Sequence, residues 1–157
     1  MIKKILSIIF ISQLIVSCGF TPMLKDLGNT SNSLVYYEIN PNSSYISKQI
    51  LNSTLQNLDK DKANYVTQIN ISEKESAVSI GSNGSVNEYK IEILVNFKII
   101  NIEDNNLMYD MQSRGFANYD VSSSEYTNSL VREEALKRAL SDGIQLMNIM
   151  VQSKVNE

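Results

Sequence analysis

The side chains able to do chemistry in this chain are few and scattered. Its 157 residues include no His and a single Cys. Lacking His, the chain has neither the commonest general base, nor the commonest transition-metal ligand, nor any Ser-His or Cys-His nucleophile pair. One Cys can form neither an intramolecular disulfide nor a zinc cluster. Among the carboxylates, Glu133 and Glu134 are adjacent, so on a helix they point about 100° apart and cannot work as a pair. Glu38, Glu73 and Glu75 form no constellation at the level of sequence. With 14 Lys and Arg against 17 Asp and Glu, the formal charge is −3, whereas a nucleic-acid binder carries a basic surface. The expectation is a protein that binds or builds rather than catalyses, with no cofactor, no metal and no nucleic-acid partner.

The one thiol sits in an informative place. Lys3 and Lys4 precede an apolar run from Ile5 to Val16. That is the basic n-region and h-region of an export signal, too short to span a bilayer comfortably. Ile15-Val16-Ser17-Cys18 resembles a bacterial lipobox. The resemblance implies diacylglycerol transfer to the Cys18 thiol, cleavage after Ser17 and acylation of the new amino group. Three acyl chains would make attachment effectively permanent, because each buried methylene contributes about 0.8 kcal/mol. By analogy with sorting in Gram-negative bacteria, Gly19, a residue other than Asp, points to the outer membrane. The alternatives are a cleaved signal with an incidental Cys, or a short N-terminal anchor. The expected organisation is a signal peptide over 1–17, a lipidated tether over 18–33 and a folded domain over 34–157. Removing Lys3 and Lys4 leaves 12 basic against 17 acidic side chains, a formal −5.

The rest of the chain must be positioned by its apolar periodicities. Leu34–Ile39 reads as a strand, and Asn40-Pro41-Asn42-Ser43 breaks it. Ser43 or Ser44 can cap a helix over Ser44–Leu58, whose apolar stripe is Ile46, Ile50, Leu51, Leu55 and Leu58. Asp59–Lys62 is a charged turn. A second strand spans Tyr65 to about Ile80, with Tyr65, Thr67, Ile69 and Ile71 on one face. Gly81-Ser82-Asn83-Gly84-Ser85 is a turn. The strand from Tyr89 to Ile100 alternates most cleanly, with Ile91, Ile93, Val95, Phe97 and Ile99 on one face and mostly polar residues on the other. After a turn at Glu103–Asn106, a fourth strand runs about Leu107–Tyr119. A long helix over about Thr127–Ser153 presents Ala135, Leu136, Ala139, Leu140, Gly143, Met147 and Met150. Arg132, Glu133, Glu134, Lys137, Arg138 and Asp142 are expected to face water. Gly143 costs about 1 kcal/mol relative to Ala in a helix, so it marks close packing on the sheet. The fold class is α+β: a two-layer sandwich of a four-stranded, mostly antiparallel sheet with two helices on one face, in the order β-α-β-β-β-α.

Cys18-Gly19-Phe20-Thr21-Pro22-Met23-Leu24 resembles the mature start of the LPS-assembly lipoprotein family LptE. The order of elements is also similar to that family. So are Arg114-Gly115-Phe116-Ala117-Asn118-Tyr119-Asp120, then Tyr126, and Glu133-Glu134-Ala135 with Arg138-Ala139-Leu140 on the last helix. The likeness covers the mature chain in pattern and these stretches in residue identity. It implies a lipoprotein on the periplasmic face of the outer membrane, lodged one-to-one inside an LptD-type β-barrel as plug and assembly factor. It also implies a capacity to bind lipopolysaccharide, and no catalysis.

On that footing, the loop Gly81, Ser82, Asn83, Gly84 and Ser85 is a candidate contact with the barrel, the alternative being a plain hairpin turn. Lipopolysaccharide phosphates would need cations, for which Lys90, Lys98 and Arg114 are candidates. The alternative is that they are ordinary solvated strand charges. Two other classes of function remain open: an auxiliary lipoprotein of a lipid-transport ABC system or other periplasmic binding lipoprotein, and a structural lipoprotein contacting peptidoglycan.

Overall fold

A computed structural model describes residues 34–55 and 57–156. The expected signal peptide, Cys18 and the tether lie outside the described residues. The described residues form one compact unit. Its elements are β1 (Val35–Ile39), α1 (Tyr45–Thr54), a short 3-10 turn (Lys60–Lys62), β2 (Tyr65–Ile80), β3 (Val86–Asn101), β4 (Leu107–Asp120) and α2 (Glu125–Val155). The order β-α-β-β-β-α is the one expected from the periodicities, and both helices lie against one face of the sheet.

The four strands are arranged spatially in chain order. β2, β3 and β4 form an antiparallel meander, as their short connections require. β1 runs parallel to β2, pairing Val35 with Tyr65 through Ile39 with Ile69. The sheet is therefore mixed, where the short connections alone led to an expectation of a mostly antiparallel one. Its parallel edge follows from α1, because only a crossover helix returns the chain to the same end of the sheet. β1 is short, so β2 beyond Ile69 is an edge. That stretch carries Glu73, Lys74 and Glu75 and a register irregularity between Ala77 and Ser79, features that discourage edge-to-edge pairing.

The alternation read along β3 is realised in full. Ile91, Ile93, Val95, Phe97 and Ile99 are each at most 1% exposed. They pack with Val35, Tyr37 and Ile69 against Leu51 and Leu55 of the α1 segment and the apolar stripe of α2. Each such side chain contributes roughly 1.5–3 kcal/mol by leaving water. Ser44 caps α1 by accepting from the Ser47 amide at 3.1 Å, and Ser124 caps α2 by accepting from Thr127 at 3.4 Å.

α1 stops at Thr54, short of the expected Leu58. Leu55 turns extended, with φ −108° and ψ 134°. The chain then places the Asn57 amide alongside β1, where it accepts from the Tyr37 N–H and donates to the Tyr37 carbonyl, both at 2.9 Å. One side chain thus supplies the pairing that a further strand would give. A helix continued to Leu58 would leave those two backbone groups without these partners. α2 is longer than expected at both ends.

Candidate functional site

The sheet face away from the helices is laid out in cross-strand rows. Strand register places Tyr36, Val66, Ile100 and Leu107 opposite one another at the end of the sheet where the chain enters. The next row is Glu38, Gln68, Lys98 and Asp110. Beyond it come Asn70, Asn96 and Gln112, then Ser72, Leu94 and Arg114. Lys74, Glu92 and Phe116 follow, then Ser76, Lys90 and Asn118. Even-numbered residues occupy this face because the pleat sends the odd ones into the core; Leu107 joins them through the register irregularity between Ile99 and Ile100.

The three candidate cations lie on this face and do not converge. Lys98 and Lys90 are eight residues apart on β3, hence about 26 Å, with Arg114 between them on the neighbouring strand. Lys98 Nζ lies 3.7 Å from the Asp110 carboxylate. Arg114 Nη1 lies 3.5 Å from Glu92, and its Nη2 donates to Gln112 at 3.1 Å. Lys90 Nζ sits 4.2 Å from the centre of the Phe116 ring. Each cation therefore has a partner within the face, and a single phosphate could meet only one of them. The polar side chains continue this pattern. Gln68 donates to Glu38 at 3.2 Å, Gln112 to Asn96 at 2.8 Å and Asn118 to Glu88 at 2.8 Å. A cleft of about 540 Å³ opens over part of the face, lined by Glu38, Asn40, Gln68, Asn70, Lys98 and Asp110 among others.

The Gly81–Ser85 loop is the far tip of the β2–β3 hairpin. It is tightly closed on itself. Gly81 N donates to Ser85 O at 2.7 Å, and Gly84 N donates to Gly81 O at 2.9 Å. The Asn83 side chain accepts from the Ser85 amide at 3.1 Å and from its hydroxyl at 2.6 Å. Gly84 has φ +82°, a conformation that favours glycine. The chain enters at the opposite end, where the Leu34 carbonyl accepts from Asn64 N at 2.7 Å. A sixteen-residue strand sets tip and entry apart by roughly 50 Å.

One cluster was not legible from spacing. Arg132, expected to face water, turns toward the sheet. Its Nη2 reaches Glu73 at 2.5 Å and its Nε reaches Glu75 at 3.0 Å. Glu75 also accepts from the Tyr119 hydroxyl, and the Tyr119 ring stacks on Tyr89 with centroids 5.6 Å apart. Burial, followed by the hydrogen bond and negative charge of Glu75, pushes the Tyr119 hydroxyl up to about 12. Burial opposes the charge on Arg132, but its bonds to Glu75 and Glu73 outweigh that and hold its pKa above the ordinary arginine value. The cluster staples the outer part of the hairpin to α2. The pairing of residues 57 and 59 positions apart left no mark in local periodicity. Among the described residues, no group of His, Cys, Asp and Glu could hold a metal, and no helix is long and apolar enough to cross a membrane.

No protein-family model and no curated protein sequence matches the chain. Solved structures do. A candidate lipoprotein from Caulobacter crescentus superposes with a TM-score of 0.62 at 12% identity, over 79% of this chain and 91% of its own. Rare lipoprotein B from Shewanella oneidensis gives 0.60 at 16%, over 78% and 96%. A minor lipoprotein from Acinetobacter baumannii gives 0.61 at 13%, over 79% and 93%. The chain has the fold of these proteins. At such identities the likeness extends to the arrangement of elements and not to individual side chains.

Proposed function

We propose that the protein is an outer-membrane lipoprotein of the LptE type, anchored through Cys18 and serving as plug and assembly partner of an LptD-type β-barrel in lipopolysaccharide transport. The observation that carries the reading is the β-α-β-β-β-α sandwich shared with bacterial lipoproteins, joined to a chain whose only Cys falls where a lipobox requires it. The geometry supports a division of labour along the strands. The end where the tether enters stays with the anchor, and the hairpin tip, roughly 50 Å away, reaches into the barrel. No reaction is catalysed. Direct contact with lipopolysaccharide would proceed by exchange, with a phosphate displacing Asp110 from Lys98 or Glu92 from Arg114. These exposed pairs are worth at most about 1 kcal/mol each, so exchange is cheap. Affinity isolation of the full chain from detergent-solubilised outer membranes tests the proposal. It predicts a large outer-membrane barrel as the stable partner. Recovery of an inner-membrane transporter, with no barrel, would instead identify an auxiliary lipoprotein of a lipid-transport system.

A further inference from the structure

The sheet has two free edges, and only one of them is guarded. Beyond Ile69 the edge of β2 carries Glu73, Lys74 and Glu75 and a register irregularity. β4 is the last strand of the sheet, and its outer side is unpaired among the described residues. It is 14 residues long, without Pro, and its charged residues are Asp110, Arg114 and Asp120. Its pairing with β3 is regular from Tyr109 to Asp120. A long, regular edge of this kind is a template for another strand.

The order of side chains along β4 selects the strand that fits. Antiparallel pairing of β4 with its own copy, about a dyad at Gln112, sets Asp110 of each copy opposite Arg114 of the other. Dyads at Met111 or Ser113 would set Asp110 opposite Gln112 or Phe116, and dyads at Asp110 or Arg114 would oppose like charges, which destabilises a pair. A dyad at Ala117 also matches Arg114 with Asp120, but within β4 it overlaps only residues 114–120, against 107–117 for the dyad at Gln112. About Gln112 the charges alternate across the join. Lys98 and Asp110 of one copy, 3.7 Å apart, meet Arg114 and Glu92 of the other, 3.5 Å apart.

The helix layer accommodates the join. A Cβ on Gly143 would lie 3.3 Å from both Gly115 N of β4 and Val95 Cγ2 of β3, so the axis of α2 runs between these strands. At one strand spacing from the dyad, the α2 axes of the two copies are roughly 10 Å apart, an ordinary helix packing distance. Asn148 reaches toward β1, where it accepts from the Tyr37 hydroxyl at 2.6 Å. Leu146 points about 160° away from it, over the outer side of β4, and is 44% exposed. In the paired form it faces the other helix.

We propose that, away from a barrel, two copies of the chain pair through β4 into one continuous sheet with its dyad at Gln112. The interface is isologous, each copy offering the same patch to the other. The pairing goes beyond the proposed function and does not depend on it. A barrel that takes one copy would separate the two.

The test is disulfide formation in the purified full chain in detergent under mild oxidation. In Gln112→Cys the introduced thiols face each other across the dyad, within reach of a disulfide. In Asn118→Cys, on the same face of the same strand, they are about 40 Å apart. Ser76→Cys reports on the guarded edge of β2. The parent chain, whose one Cys is Cys18, gives the baseline. The expected result is a covalent homodimer with Gln112→Cys and none above baseline with the other two. Adding Arg114→Glu to Gln112→Cys sets a like charge opposite Asp110 and should cut the yield about tenfold, whereas Arg114→Lys preserves it. No dimer at 112, equal dimer at 118 or 76, or a yield indifferent to Arg114→Glu overturns the inference. None of these outcomes bears on the barrel.

Discussion

Gly115 of β4 and Gly143 of α2 meet backbone to backbone. A Cβ on Gly115 would lie 1.9 Å from the Ala139 carbonyl oxygen and 2.6 Å from the Gly143 nitrogen. The contact is reinforced by the Ser113 hydroxyl, which is buried and donates to the Gly143 carbonyl at 2.7 Å. These two glycines let the long helix settle onto the sheet and bury the stripe from Ala135 to Val151.

Gly115→Ala is therefore expected to destabilise the domain by about 3 kcal/mol or more, since overpacking against backbone cannot be relieved by a rotamer change. Gly84→Ala, at a positive φ with open space around it, should cost only about 1–2 kcal/mol. Urea unfolding of the two variants beside the parent checks the order. Equal costs would show that the Gly115 contact is not tight.

Asn57 is expected to behave as a structural element rather than a loop residue. Asn57→Ala removes both bonds to Tyr37 and should cost about 1–3 kcal/mol. Asn57→Asp can still accept from the Tyr37 amide but cannot donate to its carbonyl. Amide exchange at Tyr37, measured site by site, should accelerate strongly in the Ala variant and less in the Asp variant.

Tyr119 gives the fold an alkaline limit. Its hydroxyl is raised from the ordinary 10.0 to about 12, so between these values the unfolded chain ionises while the folded one stays neutral. Unfolding is favoured as protons leave the unfolded state. Stability is thus unaffected by this group below pH 10 and falls from pH 10 toward 12. Tyr119→Phe should flatten part of that fall, with the rest due to Tyr37, which burial also raises. Chemical denaturation across this pH range, parent against variant, reads the difference.

The staple at Arg132 should be a local one. Its side chain is 41% exposed, so Arg132→Gln is expected to cost only about 1 kcal/mol globally. Exchange of the β2 amides around Glu73 and Glu75 should nevertheless rise, while those at Thr67 and Ile69 stay protected. Uniform loosening of the whole strand would contradict the local role.

Much of the fold was legible because single-residue periodicities encode it. The strict alternation in β3 and the stripe in α2 each have one way to bury their apolar sides, and both are realised. Gly143 could be read as a close approach because a helix tolerates glycine poorly, but nothing in sequence named Gly115 as its counterpart. The early end of α1 was not legible, since Leu58 continues the helical stripe while Asn57 answers to a strand distant in sequence. The same applies to Arg132, whose partners come from another element. Alternation puts Lys90 and Lys98 on the polar face of the third strand and Arg114 on the fourth strand, yet their carboxylate, amide and aromatic partners depend on strand register, which alternation alone does not set.

The central claim is a lipid-anchored partner of an outer-membrane barrel, and native mass spectrometry of the complex isolated with the full chain tests it most directly. The account predicts one copy of the chain, acylated at Cys18, bound to one large barrel. A chain recovered without a barrel, or unmodified at Cys18 and bound to an inner-membrane assembly, would contradict it.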